Sequence, residues 1–185
     1  MKGKLLIQNG RVLPMTGKVI PKGSVLVENG KITAVAERIE VPDTGSTEII
    51  DASGCLVMPG LIEAHCHVGI TEEKKGMEGD DCNENVSPVT PWLRAIDAVN
   101  TMDAAFDDAV RAGITSIMAG PGSSNVVGGQ FAFIKTKGRR IDDLIVKAPA
   151  AMKIAFGENP KVNFSGQEKS PVTRMAIAGI LREEL

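Results

Sequence analysis

Residues 57–67 read Val57-Met58-Pro59-Gly60-Leu61-Ile62-Glu63-Ala64-His65-Cys66-His67, an apolar run broken by Pro-Gly, resumed, and ended by two histidines one residue apart. Residues two apart in a strand project to the same face. His65 and His67 are therefore expected side by side at a strand's end, with Cys66 turned away. Two neutral imidazoles so placed suit two cis ligands of a zinc-like divalent ion. Two core or surface histidines that merely alternate would satisfy the same spacing. The chain has only these 2 histidines, so any larger cluster of ligands must draw on other residue types.

The segments on either side differ in kind. Before Met58 the chain reads as short strands punctuated by turns: Leu5 to Gln8 ahead of Asn9-Gly10, Ser24 to Glu28 and Lys31 to Ala36 around Asn29-Gly30, then Glu48 to Asp51 and Cys55 to Val57. Asn-Gly between two alternating runs is a strong hairpin signal, because both turn positions want positive φ. After Gly60 strands alternate with helical patterns. Leu61 to Val68 is nearly continuous in apolar residues, as in a strand buried on both faces of a parallel sheet. Gly69 to Pro91 is long, acidic and without hydrophobic period, which suits either a lid or binding loop or a solvated insertion. Thr90-Pro91 predicts an N-cap and first-turn proline for a helix from Pro91 to Ala112, broken near Asn100-Thr101 and ended by Gly113. Strands are expected over Ile114 to Met118, Phe131 to Thr136 and Ala150 to Phe156, with a last helix capped by Ser170-Pro171. Phe106 and Val110, and Met175 with Ile180, have core spacing on their helices. The fold class is α/β: a barrel or open parallel sheet over 59–185, preceded by a small β module over 1–58.

Composition removes several classes of function. A net charge of −2 gives no basic footprint for nucleic acid or a membrane surface. No apolar stretch approaches the roughly 20 residues a membrane span needs. The apolar run after Met1-Lys2-Gly3-Lys4 is too short for a signal-peptide core, so a cytoplasmic location is expected. The 3 cysteines, Cys55, Cys66 and Cys82, are odd in number and form no Cys-x-x-Cys pair, which argues for free thiols. Lys137-Gly138-Arg139-Arg140 reads as a solvated charge run.

The chain resembles the metal-dependent amidohydrolase superfamily, particularly its imidazolonepropionase-like and prolidase-like branch. Two parts carry the resemblance. Gln8-Asn9-Gly10-Arg11-Val12, Gly23 to Ile32 and Ile50-Asp51-Ala52-Ser53-Gly54 are similar to the family's β-sandwich flank. Pro59 to His67 is similar to the motif of its first barrel strand. The resemblance implies the first three units of a (β/α)8 barrel, with His65 and His67 as metal ligands. It implies hydrolysis of a carbon–nitrogen bond, amide or cyclic amide, by metal-activated water, with zinc as the expected metal in one or two copies. A small-molecule substrate is implied, and a homo-oligomer is compatible with it.

For the bridging ligand the resemblance offers two candidates. Glu158, after the third strand, is similar to the bridging glutamate of deacetylase-like members. Lys153, in Met152-Lys153-Ile154, is similar to the carbamylated lysine of prolidase-like members. Glu158 ranks first, because Lys153 lies earlier in the strand. The glycine-rich Gly120 to Gln130 lacks the Gly-Lys-Ser/Thr of a phosphate loop. It is expected either to turn the backbone sharply or to present Ser124, Asn125 or Gln130 to substrate. The family's further histidines and its general-base aspartate come from later strands that this sequence does not contain. No catalytic base is assigned, and the chain reads as the N-terminal portion of a longer enzyme. The rival readings are a non-catalytic scaffold and a fragment completed by a second polypeptide.

Overall fold

The computed structural model describes residues 3–41 and 47–185. The chain divides into two compact units, Met1–Pro59 and Gly60–Leu185.

In the first unit, strands β1 (Lys4–Val12), β2 (Ile20–Glu28), β3 (Lys31–Ala36), β4 (Thr47–Asp51) and β5 (Leu56–Val57) form one mixed sheet. Its order is β3-β2-β1-β4, with β5 also pairing to β1. The hairpin tip is Asn29-Gly30, with φ of 52° and 78° as a turn of that type requires. Asn9-Gly10 does not end its strand. Asn9, at φ 66°, instead makes a register shift inside β1, and its amide donates to Asp51 Oδ1 at 2.9 Å. Leu6, Val12 and Val25 are buried, whereas Ile32, Ile49 and Ile50 are exposed. Among the described residues the strands of the unit thus form a single sheet.

The second unit is built on a four-stranded sheet of β6 (Leu61–Cys66), β7 (Ile114–Ala119), β8 (Val127–Lys135) and β9 (Ile145–Ile154), in that order. β6 and β7 are parallel, while β8 is antiparallel to both β7 and β9. The expected all-parallel sheet is therefore corrected to a mixed one. The cause is local: β8 returns directly after the glycine-rich turn, with no crossover helix, and only an antiparallel pairing closes over so short a connection. β6, β7 and β9 still run the same way, so their C-terminal ends share one rim.

Helix α1 (Ala104–Arg111) joins β6 to β7, and α2 (Ile141–Leu144) is a single turn before β9. Two more helices follow, α3 (Glu158–Ser165) and α4 (Arg174–Glu184). The core lies on one face of the sheet, where Phe106 packs with Ile117, Ala119, Ala132, Ile134 and Leu144. Val126, Val127 and Ile177 form a smaller cluster.

The structure differs from these expectations in four ways. The helix expected from Pro91 to Ala112 exists only as α1, capped by Asp103, whose carboxylate accepts from Ala105 N at 2.9 Å. Upstream the chain runs beside β8: Thr90 N and hydroxyl donate to Val127 O, and Leu93 O accepts from Gln130 N. These tertiary hydrogen bonds outweigh local helical preference and leave only a 3-10 turn over Ala95–Asp97. Secondly, the last helix is capped by Thr173, whose hydroxyl accepts from Ala176 N, and not by Ser170-Pro171. Its Met175 is 81% exposed, and Ile177 takes the core position. Thirdly, a helix that the sequence pattern does not signal, α3, opens at Glu158 after the third expected strand. Finally, β6 is not buried on both faces, since Leu61 and Ile62 are 50% and 60% exposed in this chain. Phe106 is buried as its spacing predicts, and Gly113, at φ 81°, follows α1. No helix among the described residues is long and apolar enough to cross a membrane.

Candidate metal centre

The pleat of β6 sets the centre. His65 and His67 lie on one side, with ring centroids 5.4 Å apart and planes at 76°. Cys66 turns to the other side, where its thiol lies 3.6 Å from Met118 O. Burial raises the Cys66 thiol above its ordinary value, so it is a packed thiol rather than a ligand.

His67 Nδ1 sits 2.7 Å from Gly120 O, just beyond the end of β7. A carbonyl only accepts, so Nδ1 carries the hydrogen in that bond. Nε2 is then left with its lone pair outward, which is the orientation a metal-binding imidazole needs. His65 Nε2 lies 3.4 Å from Lys153 Nζ, near the end of β9. The imidazole of His65 titrates below its usual value, through partial desolvation first, then the Lys153 charge and His67, with Glu63 opposing. Removing the lysine charge in Lys153→Met should therefore shift the His65 titration upward in the metal-free protein. NMR of the ring protons against pH measures this, and an unchanged midpoint would show that Lys153 does not face His65 in solution.

The two imidazoles fit a divalent ion. Among the described residues, however, no group of three His, Cys, Asp or Glu is close enough to hold one. Of the two bridging candidates, Lys153 lies beside His65. Glu158 stands at the start of α3, its carboxylate 3.4 Å from Lys161 Nζ and its side chain 77% exposed. Lys153 is thus the candidate beside a histidine, and Glu158 the one turned to Lys161 and solvent. Lys153 rests on the backbone of β8, since a β-carbon at Gly128 would stand 3.3 Å from its Cγ.

The glycine-rich segment places the other candidates around the same rim. Ser124 is half-buried, and its backbone N–H donates to Asn83 Oδ1 at 3.0 Å. Asn125 is 1% exposed and donates its amide to Glu84 O and Ser87 O. Gln130 donates from Nε2 to Pro91 O at 3.0 Å. A cavity of about 360 Å³ lies between Asp80–Glu84 and Leu93, Arg94, Ala95, Asp97 and Ala98, with Pro121 and Gly128 in its wall; Ser124, Asn125 and Gln130 do not line it. Two residues that the sequence reading passes over, Gly120 and Phe131, touch the histidines directly. Only the glycine at a strand end hinted at either.

No family model matches the chain. Among curated proteins it is 34% identical over 161 residues to the amidohydrolase tasK of Hapsidospora irregularis, covering 80% of this chain and 16% of that protein. It is 28% identical over 204 residues to the dihydroorotase of Elusimicrobium minutum, covering 98% of this chain and 45% of that one. The crystal structure of an amidohydrolase from Thermotoga maritima MSB8 superposes with a TM-score of 0.91 at 43% identity, over 97% of this chain and 46% of that one. The chain spans less than half the length of each of these relatives. With nearly its whole length superposing on one amidohydrolase, and the histidine pair at the end of β6, the chain belongs to the amidohydrolase superfamily.

Proposed function

We propose that this chain forms the N-terminal part of a metal-dependent hydrolase that cleaves a carbon–nitrogen bond, amide or cyclic amide, in a small molecule. The observation that carries the reading is the pair His65 and His67 on one rim, with the His67 tautomer fixed by Gly120 O. The similarity to proteins named amidohydrolase and dihydroorotase supports the reaction class. The shared rim of β6, β7 and β9 supports the first units of a (β/α)8 barrel, whose sites gather at the C-terminal ends of its strands.

In this reading His65 and His67 each offer one ring nitrogen to a divalent ion, zinc being the choice that suits imidazole ligands. A bound ion of that kind lowers the pKa of its water towards ~7 and polarises a carbonyl oxygen. Lys153 is the third group. As an ammonium it opposes a cation, so it acts after reaction with carbon dioxide. The ammonium first gives one proton to solvent; the neutral Nζ then attacks the carbon, an N–C bond forms as one C–O π pair moves onto oxygen, and a second nitrogen-bound proton leaves to solvent. The product is an anionic carbamate whose oxygens can bind metal. Glu158 would have to leave Lys161 to take that place. Gln130 and Ser124 are the candidates to meet substrate, while Asn125 holds the loop through Glu84 O and Ser87 O. A non-catalytic scaffold would need neither the histidine pair nor a lysine beside His65.

The test is zinc retained after dialysis of the 185-residue chain, with turnover of N-acyl amino acids, dipeptides and imidazolone-type rings. Zinc is expected to bind weakly, since two imidazoles and one modified lysine only reach the usual three protein ligands, and turnover should be negligible. His65→Ala and His67→Ala should retain none. Retention equal to wild type in both variants would overturn the metal assignment. Stoichiometric zinc with turnover lost in His65→Ala would show instead that the chain is self-sufficient.

A further inference from the structure

One aromatic ring touches His65 directly and covers the glycine whose carbonyl holds His67. Phe131, in β8, is 6% exposed, and its ring centroid lies 5.4 Å from that of His65, tilted by 44°. The same ring covers the α-carbon of Gly120, where an added β-carbon would come within 2.3 Å of ring atoms Cδ1 and Cγ. Gly120 in turn is hydrogen-bonded on both sides. Its N–H donates to Cys66 O at 3.2 Å, and its carbonyl accepts the Nδ1–H of His67 at 2.7 Å. Its position is therefore bounded by β6 on one side and by the Phe131 ring on the other. A side chain at residue 120 would push the ring away or lift the carbonyl off His67.

We propose that Phe131 is the positioning residue of the histidine pair. It sets the rotamer of His65 by direct ring contact, and the tautomer of His67 through the Gly120 carbonyl held between the ring and β6. The inference rests on the metal reading for its consequence, but its geometry is a property of the metal-free chain. An apolar residue without a flat ring would fill much of the volume and still leave both imidazoles free to turn. Ligand order of this kind matters because partners behind metal-binding histidines alter affinity by about 10–100-fold.

The test has two arms. In the first, zinc affinity of the full chain is measured by chelator competition for wild type, Phe131→Leu and Ile134→Val. Ile134 is fully buried on the same strand and belongs to the core on the other face. Phe131→Leu should bind zinc at least tenfold more weakly, whereas Ile134→Val, which also loosens β8, should bind within twofold of wild type. Equal losses in both would reduce Phe131 to ordinary packing and overturn the proposal, as would unchanged affinity in Phe131→Leu. In the second arm, long-range nitrogen–proton NMR reads the histidine tautomers without metal. Wild type should show His67 as a single Nδ1–H tautomer, with contacts between Phe131 ring protons and the His65 ring, and Phe131→Leu should show a mixture. A tautomer mixture in wild type overturns the proposal even if the leucine variant does not fold. Should wild type bind no zinc while its tautomer is fixed as described, the metal reading fails and the positioning stands.

Discussion

Bicarbonate is expected to tighten zinc binding by this chain at least tenfold, and Lys153→Ala to abolish that gain. The reason is the 3.4 Å between Lys153 Nζ and His65 Nε2. An ammonium so close to the ligand nitrogen repels a bound cation. Two unit charges 4 Å apart interact by about 4 kcal/mol near a protein surface, and a dication doubles that. Carbamylation replaces the positive charge by a negative one at the same place, so a tenfold gain, about 1.4 kcal/mol, is a small part of the available change. Chelator competition with and without bicarbonate measures it, and carbon-13 bicarbonate gives the carbamate its own NMR signal. A gain that persists in Lys153→Ala would mean that carbonate itself joins the metal. Glu158→Gln should leave both the gain and the affinity without bicarbonate intact, and a loss of that bicarbonate-free affinity would restore the order read from the sequence.

That order shows where sequence reasoning stops. The histidine pair was legible because strand periodicity alone fixes which side chains share a face, and the Asn29-Gly30 tip because few residues accept positive φ twice in succession. Choosing between Lys153 and Glu158 required knowing which strand lies opposite β6 across the rim. This depends on β8 turning back antiparallel between β7 and β9, a feature no local pattern announces. The helix read from Pro91 failed for a related reason. Its sequence is helix-compatible, but the hydrogen bonds that decide it come from Val127 and Gln130, more than thirty residues away. α3 was missed because it has no apolar stripe: only Pro160 and Phe164 are buried on it, and Val162 faces solvent. Phe131 read as an ordinary strand residue, since nothing in its neighbours marks the glycine it covers.

Asn125 separates a scaffolding role from a substrate contact, and its variants should do so by stability. Asn125→Ala is expected to lower unfolding stability by about 2 kcal/mol, because Glu84 O and Ser87 O lose their donor. The loss stays moderate for two reasons. Both carbonyls lie on a partly exposed loop, and the replaced Oδ1 is itself buried without a hydrogen-bond partner among the described residues. Asn125→Asp should be worse, by about 3–5 kcal/mol at neutral pH, since an unpaired carboxylate would face two carbonyl oxygens in a buried site. Burial and those carbonyls favour the protonated acid, whose O–H can donate to one of them, so its pKa in the folded state is raised. The penalty is therefore smallest below the unfolded value near 4 and grows as pH rises through the folded value. Urea midpoints at pH 4 and pH 7 test the ordering, and amide exchange over residues 84–87 should quicken in both variants. If Asn125 serves substrate instead, Asn125→Ala would leave the midpoint and the exchange unchanged, and the loop would be held by contacts other than this amide.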